Sequence, residues 1–388
     1  MINLNDYLDP VSIERPEWLH IAGSSTLAHN LSINTASNPV TSADNFRLAI
    51  IGVPDDRLSV REGAAKAPDA IRTTLYNLSR LPGKVKIADL GNIRRGVTPE
   101  DTMAALGDVI TTLLDKGVMV LVLGGDSSLI PSLATPVAAL YPEYTYTTID
   151  SRIDYVNEKR ENNPFNYLSG IINSRNHQPS NIIHIGYQSY LNDPQVINRF
   201  RRRNYELLRI GEARSSMHET EPFFRDSHLI TLDMGAVRQS DAPGTFAPSP
   251  NGFYGEEICL LARYAGLSDS LKVFGLFELN PDLDIRSQTA AMAAHITWFF
   301  LEGFVQRHNE SETIATDRNG RFVRYHVAVD KAGEDLIFVK SSTTGRWWIE
   351  YRDREGRVSY LACSYNDYLK AGDNEIPNRW LQAVARKG

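Results

Sequence analysis

Two carboxylates with a guanidinium between them close the run Thr147-Thr-Ile-Asp150-Ser-Arg152-Ile-Asp154. In an extended segment, side chains two apart point the same way, so Asp150, Arg152 and Asp154 are expected to converge at the C-terminal end of a strand. Open α/β sheets build their sites at that end. Two more apolar runs stop at an aspartate: Val120-Leu-Val-Leu-Gly124-Gly-Asp126-Ser127-Ser128 and Leu229-Ile-Thr-Leu-Asp233-Met-Gly235. Carboxylates gathered and buried without a cation are expensive. Arg152 is the nearest cation in sequence, and its planar fork can take two carboxylates. Each aspartate has a plainer role open to it, that of capping a turn or accepting from loop amides.

The elements that must position these residues alternate. Strand-like runs at Phe46–Gly52, Val85–Leu90, Val118–Leu123, Tyr144–Asp150, Asn181–Ile185, Leu207–Ile210, Leu229–Asp233 and Lys272–Leu279 are separated by helix-like stretches, among them Pro99–Lys116 and Thr289–Val305. Strands that are apolar throughout imply a parallel sheet covered on both faces. The predicted class is a three-layer α/β/α sandwich with a mainly parallel sheet of about eight strands, spanning residues 46–307. Residues 1–45 read as an extension packed on it, and the polar stretch 308–320 as a linker. Short aromatic and β-branched runs in 321–388 predict a small β-rich C-terminal appendage, with Trp347-Trp348 in its core or interface.

Composition narrows the function. A formal net charge of −6 disfavours general nucleic-acid binding. The basic run Arg199, Arg201, Arg202 and Arg203 reads as a solvated helix face. Two cysteines, Cys259 and Cys363, are too few for a disulfide framework. No apolar stretch reaches membrane-spanning length and no signal-peptide pattern opens the chain, so no membrane insertion and a cytoplasmic location are expected.

The three aspartate-ending runs resemble the signature motifs of the ureohydrolase superfamily, which contains arginase, agmatinase and formimidoylglutamase. Gly124-Gly-Asp126-Ser127-Ser128 is similar to the family's Gly-Gly-Asp-His-Ser, and Asp150-Ser-Arg152-Ile-Asp154 to its Asp-Ala-His-x-Asp. Thr231-Leu-Asp233-Met-Gly235, with Pro243-Gly244 and Gly252, is similar to its Ser-x-Asp-x-Asp motif. Gly52-Val-Pro54, Ala67-Pro-Asp-Ala-Ile-Arg72, Ile185-Gly-Tyr-Gln-Ser189 and Glu278-Leu-Asn-Pro281 follow in the family's order. The resemblance implies an arginase-like fold and, in the family, two manganese ions held by two histidines and four aspartates. Those ions activate water for attack on a guanidinium or amidine carbon. It also implies that Glu278 occupies a substrate-contacting position.

Against that pattern Asp150, Asp154 and Asp233 keep ligand positions, while Ser127, Arg152 and Gly235 stand where the family has donors. Serine is a poor ligand, glycine has no side chain, and arginine stays protonated. These departures predict a vestigial pocket of Asp126, Ser127, Asp150, Arg152, Asp154, Asp233, Gly235 and Glu278 with no metal, no cofactor and no catalytic residue. Arg152 is expected to pair with at least one of the aspartates and Arg238 to add a second cation. His184, His228 and His295 read as structural. The corresponding function is a non-catalytic binding or scaffold protein with a protein partner or small ligand, possibly as a homo-oligomer. The alternative is a manganese-dependent hydrolase of C–N bonds in linear amidines with an altered metal site.

Overall fold

A computed structural model describes residues 3–12, 25–158, 160–317, 320–333, 335–352 and 356–387. Among these residues fourteen strands form two sheets. The first contains β1 (Leu8–Asp9), β2 (Leu31–Ile33), β3 (Leu48–Gly52), β4 (Ile87–Ile93), β5 (Met119–Leu123), β6 (Thr145–Ile149), β7 (Asn181–Tyr187), β8 (Glu206–Arg209), β9 (Leu229–Asp233) and β10 (Val273–Phe277). Its order is β1-β4-β3-β5-β10-β9-β6-β7-β8, with β2 also on β4, and every pairing except β1 with β4 is parallel.

The side-chain alternation of these strands divides two core layers. Ala49, Ile51, Val120 and Val122 enter one apolar cluster together with Leu106, Val109, Leu133 and Val137 of the helices Pro99–Asp115 and Ile130–Leu140. Leu48, Ile50, Leu121 and Leu123 enter the other, with Ile71, Ile258, Leu261 and Phe300 of the helices Ala67–Leu75, Gly255–Gly266 and Gln288–Val305. Residues alternate between faces in a strand, so each apolar run is buried twice over, which gives the three-layer arrangement. The extension contributes Leu4, Leu8 and Ala43 to the first layer and Leu27 to the second.

The second sheet is antiparallel, β11 (Phe322–Val327), β12 (Leu336–Ser341), β13 (Trp347–Arg352) and β14 (Val358–Cys363) in sequence order. Two helices follow it, Tyr365–Gly372 and Asn378–Lys387. Trp347 stacks on Tyr368 at 4.8 Å inside this unit, while Trp348 on the opposite face meets Phe322 edge-on and lies 4.8 Å from the Arg225 guanidinium of the large domain.

Sheet order explains where a site forms. β5, β10, β9 and β6 are adjacent and parallel, so their C-terminal ends share one edge. Asp233 ends β9, and the loops leaving the other three carry Gly124–Ser128, Glu278 and Asp150–Asp154. The first turn is tight: a Cβ on Gly125 would lie 2.0 Å from the Asp55 carbonyl oxygen, so only glycine fits.

Candidate functional site

β6 ends at Ile149, and the chain then bends away as an irregular segment. Asp150 Oδ1 accepts from the Arg152 N–H at 2.9 Å, closing a local turn that carries Asp154 back beside it. Asp233 ends β9, and its Oδ1 accepts from the Gly235 N–H at 2.6 Å. Asp150, Asp154 and Asp233 each present an oxygen within 4.8 Å of the others. Asp150 Oδ2, on a residue only 3% exposed, has no hydrogen-bond partner.

Glu278 sits immediately past β10 with a left-handed φ of 67°, a conformation costly for a non-glycine residue and held here by its N–H on the Gly125 carbonyl at 3.0 Å. Its Oε1 accepts from the Ser127 N–H at 2.6 Å. Ser127 Oγ donates to Asp233 Oδ2 at 3.4 Å. Asp150, Arg152, Asp154, Asp233, Gly235 and Glu278 line one cavity of about 50 Å³. Phe165 and Phe246, from two separate loops, also line it and meet edge-on at 5.6 Å.

The electrostatics follow from burial and mutual repulsion. Burial, then the charges of Asp233 and Glu278, push the Asp154 carboxyl up to about 8. Burial with the charge of Asp154 raises Asp150 well above the ordinary carboxylate range, and burial with Asp150 does the same to Asp233. Glu278 is raised by burial and then by Asp233 and Asp126. Such a group favours either protons or a cation.

Several site expectations are corrected. Arg152 forms no ion pair and no side-chain hydrogen bond among the described residues, although its charge favours the ionised forms of Asp154 and Asp233. Its main chain is held instead, the carbonyl accepting from His184 Nε2 at 2.8 Å. Arg238 is not in the site: its guanidinium pairs with Asp241 at 2.9 Å and lies 4.1 Å from the Tyr254 ring centroid. Asp126 does not join the cavity lining but caps the turn at Ser127–Leu129, accepting from the Ser128 N–H at 2.8 Å, and burial lifts its carboxyl to about 6. Phe165 and Phe246 went unrecognised in the sequence because neither belongs to a periodic run or a turn motif. Burial of His184 and His228 depresses each to about 4, so both are neutral at pH 7.

The arginase-family model matches residues 46–302. The chain belongs to the arginase family. This arginase-family chain is 29% identical over 260 residues to a formimidoylglutamase of Ralstonia nicotianae, covering 63% of the chain and 79% of the relative. It is 26% identical over 280 residues to that of Bacillus subtilis, covering 66% and 86%. Among solved structures, a Trypanosoma cruzi formiminoglutamase with Mn2+ superposes with a TM-score of 0.64 at 20% identity, covering 69% of this chain and 97% of that one. The Bacillus subtilis formimidoylglutamase gives 0.63 at 21%, covering 76% and 95%. At these identities the superpositions establish the fold, an arginase-like sandwich carrying an additional C-terminal sheet.

These relatives overturn the expectation of a non-catalytic binding or scaffold protein, a pseudoenzyme with a degenerate metal site and no cofactor. Its relatives are named as enzymes, and a structural neighbour holds Mn2+. Losing donors at Ser127, Arg152 and Gly235 does not exclude every ion, and Arg152 forms no ion pair with the remaining carboxylates among the described residues. Three converging aspartate oxygens with an unpartnered Asp150 Oδ2 form an oxygen-rich cradle that fits a hard divalent cation.

Proposed function

We propose that this chain hydrolyses a C–N bond of a linear amidine, with a divalent cation, Mn2+ by analogy with its relatives, held by Asp150, Asp154 and Asp233. The convergence of those three oxygens within 4.8 Å, with no cation paired to them among the described residues, carries the reading. Bound there, the cation would lower the pKa of a water and offset charge developing in the reaction.

The chain's own residues do the rest. A protonated amidine is a planar cation, and Glu278, fixed by the Ser127 N–H and by its strained backbone, faces it with a carboxylate. Water adds to the amidine carbon, the bond from that carbon to the substituted nitrogen breaks, and that nitrogen takes up a proton to leave as an amine. Phe165 and Phe246 add apolar surface to the lining and displace water there, which strengthens each charge interaction inside.

N-formimidoylglutamate, the substrate that the relatives' name denotes, is the first compound to test. Chelator-stripped full-length protein, reloaded with Mn2+, should release glutamate from it. Mn2+ bound at Asp150, Asp154 and Asp233 without turnover of this compound or of guanidino substrates would refute the reading. We place the activity in the cytoplasm: among the described residues no helix is long and apolar enough to cross a membrane, and Cys259 and Cys363 are free thiols.

A further inference from the structure

We infer that Arg152 stands in for a second metal ion: the site takes one divalent cation, and the Arg152 guanidinium supplies the remaining positive charge facing the substrate. The inference rests on the cation site proposed above and concerns its stoichiometry and the class of substrate it accepts.

Donor count comes first. Among the described residues, one group of three side chains converges in a way that could hold an ion, Asp150, Asp154 and Asp233. Around it, Gly235 offers no side chain, and the Ser127 hydroxyl is engaged with Asp233. A second dication would have Glu278 alone as a new carboxylate, and Oε1 of that group is already taken by the Ser127 N–H.

Charge count agrees. The cavity is lined by four carboxylates, Asp150, Asp154, Asp233 and Glu278, and by one arginine. When all four are ionised, one dication and Arg152 leave a single negative charge, which a protonated amidine cancels. Two dications beside Arg152 would leave a net positive cavity that repels the same substrate. The arrangement therefore selects a cationic amidine and a single metal.

Geometry makes Arg152 available for this. Its main chain is clamped on both sides, N–H to Asp150 Oδ1 at 2.9 Å and C=O from His184 Nε2 at 2.8 Å. Arg152 is a half-buried residue of the cavity lining, and its side chain forms none of the ion pairs or side-chain hydrogen bonds among the described residues. A guanidinium cannot ligate a metal but keeps five donors for carboxylates, water or substrate. Arg152 is thus a positioning residue for charge, set beside the cation rather than under it.

Mn2+ content after desalting and Mn2+ affinity by calorimetry test this in full-length wild type, Arg152→Gln and Arg152→Lys. The expected result is one Mn2+ per wild-type chain, affinity about ten-fold tighter in Arg152→Gln because a like charge is removed, and wild-type affinity restored in Arg152→Lys. kcat on an amidine should fall in Arg152→Gln and recover in part in Arg152→Lys. Two Mn2+ per wild-type chain, or equal affinities in wild type and Arg152→Gln, would overturn the inference. Should Arg152→Gln fail to fold, the wild-type stoichiometry and the Arg152→Lys affinity still decide. No Mn2+ in wild type refutes both this inference and the proposed function. One Mn2+ with the expected affinity series but no amidine turnover refutes the proposed reaction alone.

Discussion

Ser127 and Glu278, 151 positions apart in sequence, are joined by an N–H···Oε1 hydrogen bond of 2.6 Å that fixes an acidic side chain of the cavity lying outside the three-aspartate cradle. The bond places Glu278 where a planar cation can meet it. In Glu278→Gln, kcat/KM for an amidine should fall at least about 100-fold, since a buried charge partner of the substrate is lost. Mn2+ content should be unchanged. Because burial raises the Glu278 carboxyl well above its usual range, ionising it opposes folding, and the amide removes that penalty. The metal-free variant should therefore melt above metal-free wild type at pH 8. Thermal denaturation alongside steady-state kinetics checks both halves, and a lower melting temperature with unchanged kinetics would count against this role.

Metal binding should depend on pH in a defined direction. Asp154 holds its proton up to about 8 in the folded chain, against 3.8 for a free aspartate. The folded state thus binds protons more tightly than the unfolded chain across that window, so the contribution of Asp154 to stability is lost as pH rises from about 4 to about 8. A cation competes with those protons. Melting curves at pH 5 to 8.5 should show metal-free protein losing stability as pH rises and Mn2+ adding progressively more. An equal Mn2+ shift at pH 5 and pH 8 would contradict this.

The C-terminal sheet docks through buried charge. Arg379 reaches Glu206 at 2.7 Å and Asp226 at 3.0 Å on the large domain, and Arg225 donates to the Trp347 and Cys363 carbonyls at 2.8 and 2.7 Å. Removing one partner of a buried pair leaves the other uncompensated, so Arg379→Ala should cost about 3–5 kcal/mol and release the appendage to limited proteolysis. Despite its burial, Glu206 is held below its usual range, the Arg379 and Arg386 charges outweighing desolvation. Its contribution is therefore present above the unfolded value of 4.5 and lost as pH falls below it. Wild-type protein should become protease-sensitive near the appendage in that acidic range before the core unfolds. Simultaneous cleavage of both units would argue against separate docking.

Much of this was legible in the sequence, because apolar runs that stop at aspartates carry both the strand and its end. β5, β6 and β9 fall within about one residue of the runs at Val118–Leu123, Tyr144–Asp150 and Leu229–Asp233. The helix Pro99–Asp115 ends one residue short of the expected Pro99–Lys116. What failed was the two-residue alternation extended past Ile149: Asp150–Asp154 is a bend, not a strand, so Arg152 need not share a direction with its neighbours. Strands of two and three residues, β1 and β2, carry no readable period. Nor does sequence reveal pairs such as Arg72 with Asp89, wholly buried at 2.9 Å, which only folding brings together. The helices Tyr365–Gly372 and Asn378–Lys387 were hidden behind the aromatic strand signals that precede them.

Anomalous diffraction at the manganese edge from crystals of the full-length chain grown with Mn2+ tests the central claim most directly. One peak is predicted, among the carboxylates of Asp150, Asp154 and Asp233, and it should vanish in Asp154→Asn. A map with no peak there at saturating Mn2+, or with peaks only elsewhere, would contradict the account.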